Sequence, residues 1–152
     1  MTREAMRQAH LVLADGTVFE GEAIGAEPFW LQAWIGILVV ANLLAVLFVA
    51  TRTGGRWRVR PEPVAILAAF FAAGMLMDWM YARVGYARLL GLAHLVFWGP
   101  VWAWLVLRRA DIGTGTWFGR YVHFYLVIAG ISLVIDAVDV SRHLLGDGQL
   151  LD

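Results

Sequence analysis

A chain of 152 residues in which 61% are hydrophobic and only 16% charged is too apolar for a water-soluble domain, where about a quarter of residues carry charge. The formal net charge is zero, so no global field draws the chain to nucleic acid, and the length allows one domain. The absence of cysteine excludes disulfides, thiolate metal sites, cysteine nucleophiles and thiol redox chemistry together.

Residues 1–28 form a polar tail. Its charges are spread throughout, without the apolar run of a signal peptide. Within it Leu11-Val12-Leu13-Ala14 reads as a short strand, Asp15-Gly16 as a hairpin turn, and Thr17 to Ile24 as the returning strand. An isolated hairpin is marginal in water, so this one is expected to lean on helix ends, a partner or another copy.

A bilayer-spanning helix needs about 20 mostly apolar residues. Residues 30–50 qualify without any charge, and 64–82 with Asp78 alone. Residues 89–107 qualify with His94 and Pro100 inside them. Residues 118–144, with Arg120 just inside, stay largely apolar to Ser132 and then carry Asp136, Asp139, Arg142 and His143. The expected fold is therefore an all-α membrane protein: a four-helix transmembrane bundle over 29–146, a short N-terminal β-hairpin and a tail at 147–152. Short connections make sequential helices antiparallel neighbours. The longest, Thr51 to Pro63, reads as a linker whose Arg56 to Arg60 run anchors to anionic headgroups. Ala65, Ala69 and Ala73 give small-xxx-small steps for close helix approach. Pro100 removes one helix hydrogen bond and predicts a kink. Gly113 to Thr116 reads as a turn, without the Gly-Lys-Ser/Thr ending of a phosphate loop.

The first and third connections hold Arg52, Arg56, Arg58, Arg60, Arg108 and Arg109, with Arg120 beside them; the opposite surface has Arg83, Arg88 and Arg142. The positive-inside rule then places the Arg-rich connections in the cytoplasm and both termini outside a bacterial cytoplasmic membrane. Trp57, Trp104 and Trp117 fall near the Arg-rich surface and Trp79 and Tyr81 near the other, as interfacial aromatics do. Trp98 is left in mid-membrane, where its N–H needs a partner.

Ionisable groups inside spanning segments each cost roughly 2.5–3.5 kcal/mol on insertion scales, so the few present carry the functional signal. At about 100° per residue, Tyr125, Ala129, Ser132, Asp136, Asp139 and His143 share one stripe of the fourth helix. Asp78 and His94 enter from the same surface at similar depth, so Asp78, His94, Asp136, Asp139 and His143 are expected to converge in an outer-leaflet pocket, with Arg83, Arg88 and Arg142 at its mouth. Asn42 and Ser132 lie deeper, within expected reach of one another. Four readings stay open. The carboxylates can be salt-bridged to the nearby arginines, holding helix ends together. The stripe can line an ion or proton path. Asp136, Asp139 and His143, completed by His94 and Asp78, can hold a divalent metal. His94 and His143 can ligate haem. The functional expectation is an oligomeric channel or transporter-like protein handling cations or protons. Its alternatives are a membrane metal-binding protein or metalloenzyme and a non-catalytic accessory subunit of a larger complex.

One segment also carries a likeness. His10-Leu-Val-Leu-Ala-Asp-Gly-Thr-Val-Phe-Glu-Gly-Glu-Ala-Ile-Gly25 resembles the first strands of the carbamoyl-phosphate synthase small subunit. That resemblance implies a glutamine amidotransferase with a cysteine nucleophile. It ends by Glu27, and with no cysteine in the chain no catalytic residue carries over.

Overall fold

The computed structural model describes residues 8–12, 18–22, 29–85 and 88–146. Its elements run β1 (Gln8–Val12), β2 (Val18–Glu22), α1 (Phe29–Leu43), β3 (Ala50–Thr53), β4 (Arg56–Val59), α2 (Pro61–Val84), α3 (Leu92–Ile112) and α4 (Trp117–Leu144), with 3₁₀ segments at Leu44–Phe48 and Arg88–Gly91. The chain divides into a unit ending at Ile35 and a unit running from Gly36 to Leu151, so the division falls inside α1.

In the first unit β1 and β2 pair antiparallel, Gln8 opposite Glu22 and Val12 opposite Val18. A two-residue Asp15-Gly16 turn would set Ala14 opposite Thr17. The observed register is instead centred on residue 15, one residue away. The turn residues 13–17 lie outside the described residues.

Four helical segments are long and apolar enough to cross a membrane: Phe29–Phe48, Pro61–Arg83, Leu89–Ile112 and Trp117–Leu144. Only 17–28% of each apolar window is buried within the protein. Leu47, Met75, Val127 and Val134 all face outward. Each aliphatic side chain left in water forgoes about 1.5–3 kcal/mol, so surfaces of this kind need apolar surroundings.

Local chemistry sets the helix ends. Arg60 is extended (φ −88°, ψ 131°) and Pro61 opens α2, where its missing N–H costs nothing. Gly85 and Gly113 close α2 and α3 at positive φ, their amides bonded to the carbonyls of Tyr81 and Arg109. Thr116 caps α4, its hydroxyl accepting from the Gly119 amide at 3.0 Å. The α3–α4 turn is tight: a Cβ on Gly119 would run into the carbonyl of Gly113.

The core of the second unit is narrow. Ile66, Ala69, Ala73 and Met80 form the buried face of α2, and Tyr121, Val122, Tyr125, Ala129 and Ser132 lie buried along α4. Of the expected alanine steps, Ala69 and Ala73 turn inward, whereas Ala65 is half-buried. Directional contacts cross this core. The Tyr121 hydroxyl donates to the Ala41 carbonyl at 2.9 Å, and the Trp102 indole donates to the Leu126 carbonyl at 2.8 Å. Gly130 lets Trp102 approach: a Cβ there would stand 3.1 Å from Nε1. Buried Glu62 pairs with Arg108 at 3.0 Å, tying the start of α2 to the end of α3.

The Thr51 to Pro63 linker is not irregular. It holds a second hairpin, with Thr53 opposite Arg56 and Ala50 opposite Val59. Gly54 and Gly55 form its two-residue turn at φ 59° and 81°. A pair of positive φ values is what a type I′ turn demands, and a Gly-Gly dipeptide between alternating residues is its sequence signal. A Cβ in this conformation costs about 1–2 kcal/mol. Gly55→Val should therefore raise amide hydrogen exchange across residues 50–59 by about tenfold and leave α4 unchanged. Exchange mass spectrometry of the reconstituted protein checks it.

Candidate functional site: a histidine–aspartate pair between α3 and α4

Polar side chains meet near one end of α3 and α4. His94 stands in the first turn of α3, and Asp136 lies two helical turns before the end of α4. His94 Nδ1 is 3.0 Å from Asp136 Oδ2, with the two side chains 20% and 16% exposed. The Ser132 hydroxyl, one turn earlier on α4, reaches the same Oδ2 at 3.5 Å. The pairing follows from two independent features. Asp136 lies on the stripe with buried Ser132 and Ala129, so it faces the core rather than outward. Gly91, just before α3, then allows the two backbones to approach. A Cβ at that position would stand 2.8 Å from Asp136 Oδ1 and 3.2 Å from Asp136 Cα. Backbone cannot yield as a flexible side-chain tip can, so only glycine fits. The carboxylate also sits beside the opening of α3, where the helix dipole favours negative charge.

The imidazole has a second neighbour. Its ring stacks on Trp98, four residues along α3, with centroids 4.3 Å apart and planes 25° apart. Phe70 of α2 continues the stack at 6.5 Å from Trp98. A proton shared between Nδ1 and Oδ2 is what binds the pair, and a second proton on Nε2 would make the ring an imidazolium. That cation would meet a carboxylate at one edge and the negative face of an indole beneath it. With the ring neutral the pair keeps the net charge of the carboxylate, and with the ring protonated it would be an ion pair of no net charge.

The other expected residues are placed differently. Asp78 is exposed, and Asp139 is half-buried one turn beyond Asp136. His143 lies further along α4, its Nδ1 buried without a hydrogen-bond partner. Among the described residues, no three His, Asp or Glu side chains stand close enough to hold a metal ion. The expected metal set of Asp136, Asp139, His143, His94 and Asp78 is therefore not assembled. The reason lies in helical rise: a stripe aligns side chains by angle, but residues 136 and 143 are separated by roughly 10 Å along the axis. The expected Asn42–Ser132 bond is also absent. Asn42 Nδ2 turns back to the Leu38 carbonyl at 2.9 Å, and Ser132 serves Asp136. Tyr125 is fully buried and its hydroxyl has no partner; the Trp98 indole N–H likewise has none. Arg83 stacks over Trp79 at 3.8 Å rather than standing over the pair.

Sequence reasoning passed over Gly91, although its signal was present: a glycine three residues before a histidine in an apolar helix marks a place where another backbone can come close. Family models, curated proteins and solved structures were compared with the chain, and none matches. The geometry therefore stands alone. Gly91→Ala should destabilise the fold by about 1–3 kcal/mol, the usual cost of forcing a methyl into a packed contact. Chemical unfolding in mild detergent measures it; an unchanged midpoint would show that α3 and α4 do not approach here.

Proposed function

We propose that the chain is an integral membrane protein that takes up and releases protons at the His94–Asp136 pair, as part of proton or cation movement through an oligomer of this chain. The supporting observation is the 3.0 Å contact between ionisable side chains on two helices, each long and apolar enough to span a bilayer. Ionisable groups at such depth are costly, and they mark relays and ion pathways more often than packing. By helical rise His94 lies about 8 Å in from the start of the Leu89–Ile112 span and Asp136 about 12 Å in from the end of α4, within reach of water entering from that surface. Four helices offer little room for a private path, so conduction runs between copies.

A second reading has its own support. The tight seat of Asp136 against Gly91 suits a clamp that holds α3 to α4, and a clamp belongs to an accessory subunit of a larger membrane complex. Asp136→Asn separates the two, because the amide keeps the shape and can still accept from the imidazole. Under the proton-handling reading, wild-type protein in vesicles dissipates a proton gradient, read by an entrapped pH dye. Asp136→Asn and His94→Gln slow this at least tenfold while their melting temperatures stay within a few degrees of wild type. No flux from wild type, or earlier melting without loss of flux, would favour the clamp.

The arginine asymmetry supports a topology with the first and third connections in the cytoplasm and both termini outside. Reporter fusions after Gly54 and after Asp152 are expected to give cytoplasmic and extracytoplasmic signals respectively. The reverse pattern would move the pair to the inner leaflet.

A further inference from the structure

The β3–β4 hairpin has no core of its own. Cross-strand partners share a face, so Ala50, Arg52, Trp57 and Val59 lie on one side and Thr51, Thr53, Arg56 and Arg58 on the other. Trp57 is 72% exposed and Val59 69%. A two-stranded sheet is marginal in water, and an exposed indole beside an exposed valine gives it no stability. Its position in the chain is fixed, however. It follows the end of one span at Phe48 and precedes the start of the next at Pro61, so it lies at a helix-end level. Arg60 holds its base there, bonded to the Thr51 hydroxyl at 3.4 Å and lying 4.3 Å over the Phe118 ring at the start of α4.

The charge at this end is one-sided. Arg52, Arg56, Arg58, Arg60, Arg108, Arg109 and Arg120 lie at this end, and among the described residues of the same helix ends and connections the carboxylates are Glu62, buried against Arg108, and exposed Asp111. Tryptophan favours the headgroup level of a bilayer, and clustered arginines at a helix end match anionic headgroups in charge and in phosphate geometry.

We infer that the β3–β4 hairpin is an anionic-phospholipid docking element, with Trp57 set among the headgroups and Arg52, Arg56 and Arg58 bonded to lipid phosphates. This rests on the membrane reading above but not on proton handling at His94 and Asp136. Each arginine near an anionic surface strengthens binding about fivefold.

The test is native mass spectrometry of the full chain in mild detergent, titrated with phosphatidylglycerol or with phosphatidylcholine of the same acyl chains. Phosphatidylglycerol is expected to bind at least about fivefold more tightly, the figure for a single basic residue. The triple variant R52Q/R56Q/R58Q should lose that preference. R52K/R56K/R58K, which keeps the charge, should retain most of it, and Arg83→Gln at the other end should leave it intact. Equal binding of the two lipids, or a preference that survives the triple glutamine variant, overturns the inference. So does displacement of the lipid by inorganic phosphate beyond that by chloride at equal ionic strength, which would identify a site for free oxyanions. Flotation with neutral vesicles tests the membrane reading separately: protein that fails to float defeats both, whereas protein that floats without lipid preference defeats only the hairpin's role.

Discussion

Apolar burial discriminates poorly between the inside and outside of this bundle. No apolar window is more than 28% buried within the protein, and what it buries is largely alanine, valine and leucine, the same chemistry that it exposes. The hydrophobic effect can hold such helices in an apolar phase but cannot choose their rotation or register. That choice falls to a few directional contacts. Tyr121 to the Ala41 carbonyl fixes α4 against α1, and Trp102 to the Leu126 carbonyl fixes α3 against α4. Glu62 to Arg108 fixes α2 against α3, and His94 to Asp136 fixes the far end of the α3–α4 pair. Two glycines set how closely these contacts can form, Gly91 under Asp136 and Gly130 under Trp102.

This division explains what the sequence made legible. Long apolar runs locate spans without any knowledge of their partners, so the four helical segments fall within a few residues of expectation. The stripe on α4 was likewise readable, because angle along a helix is a local property, and Ser132 and Asp136 do share a hydrogen bond. What angle cannot give is which neighbour comes to meet the stripe. His94 does, whereas Asp78 remains exposed, because the outcome depends on how deeply α2 and α3 are set against α4. The β3–β4 hairpin was missed for a different reason. Its Gly-Gly signal was present, but the arginine run beside it drew the reading toward charge rather than toward alternation. At the N-terminus the antiparallel hairpin was legible from its two short apolar runs, and Gln8–Val12 does pair with Val18–Glu22.

In the proposed proton-handling role, the pair between α3 and α4 answers to two requirements that usually compete. A contact that holds helices together is best served by fixed charge and close packing; a contact that exchanges protons needs two stable protonation states. His94 and Asp136 meet both through their surroundings. The carboxylate takes Ser132 and the positive end of α3, while the imidazole takes the Trp98 face. Each partner therefore has a neighbour besides the other.

The α3–α4 turn adds a consequence of its own. Gly119 is pressed on the Gly113 carbonyl, Thr116 caps α4, and the Arg120 side chain donates to the Thr114 carbonyl at 3.3 Å. Part-way along, Trp102 spans the gap to α4. The two helices thus resemble tongs riveted at one end and latched at the other, where His94 bonds Asp136 and Gly91 packs against the same residue. Tongs do not open evenly. A disturbance at Gly91, His94 or Asp136 therefore acts farthest from the rivet, where a given tilt separates the two helices most.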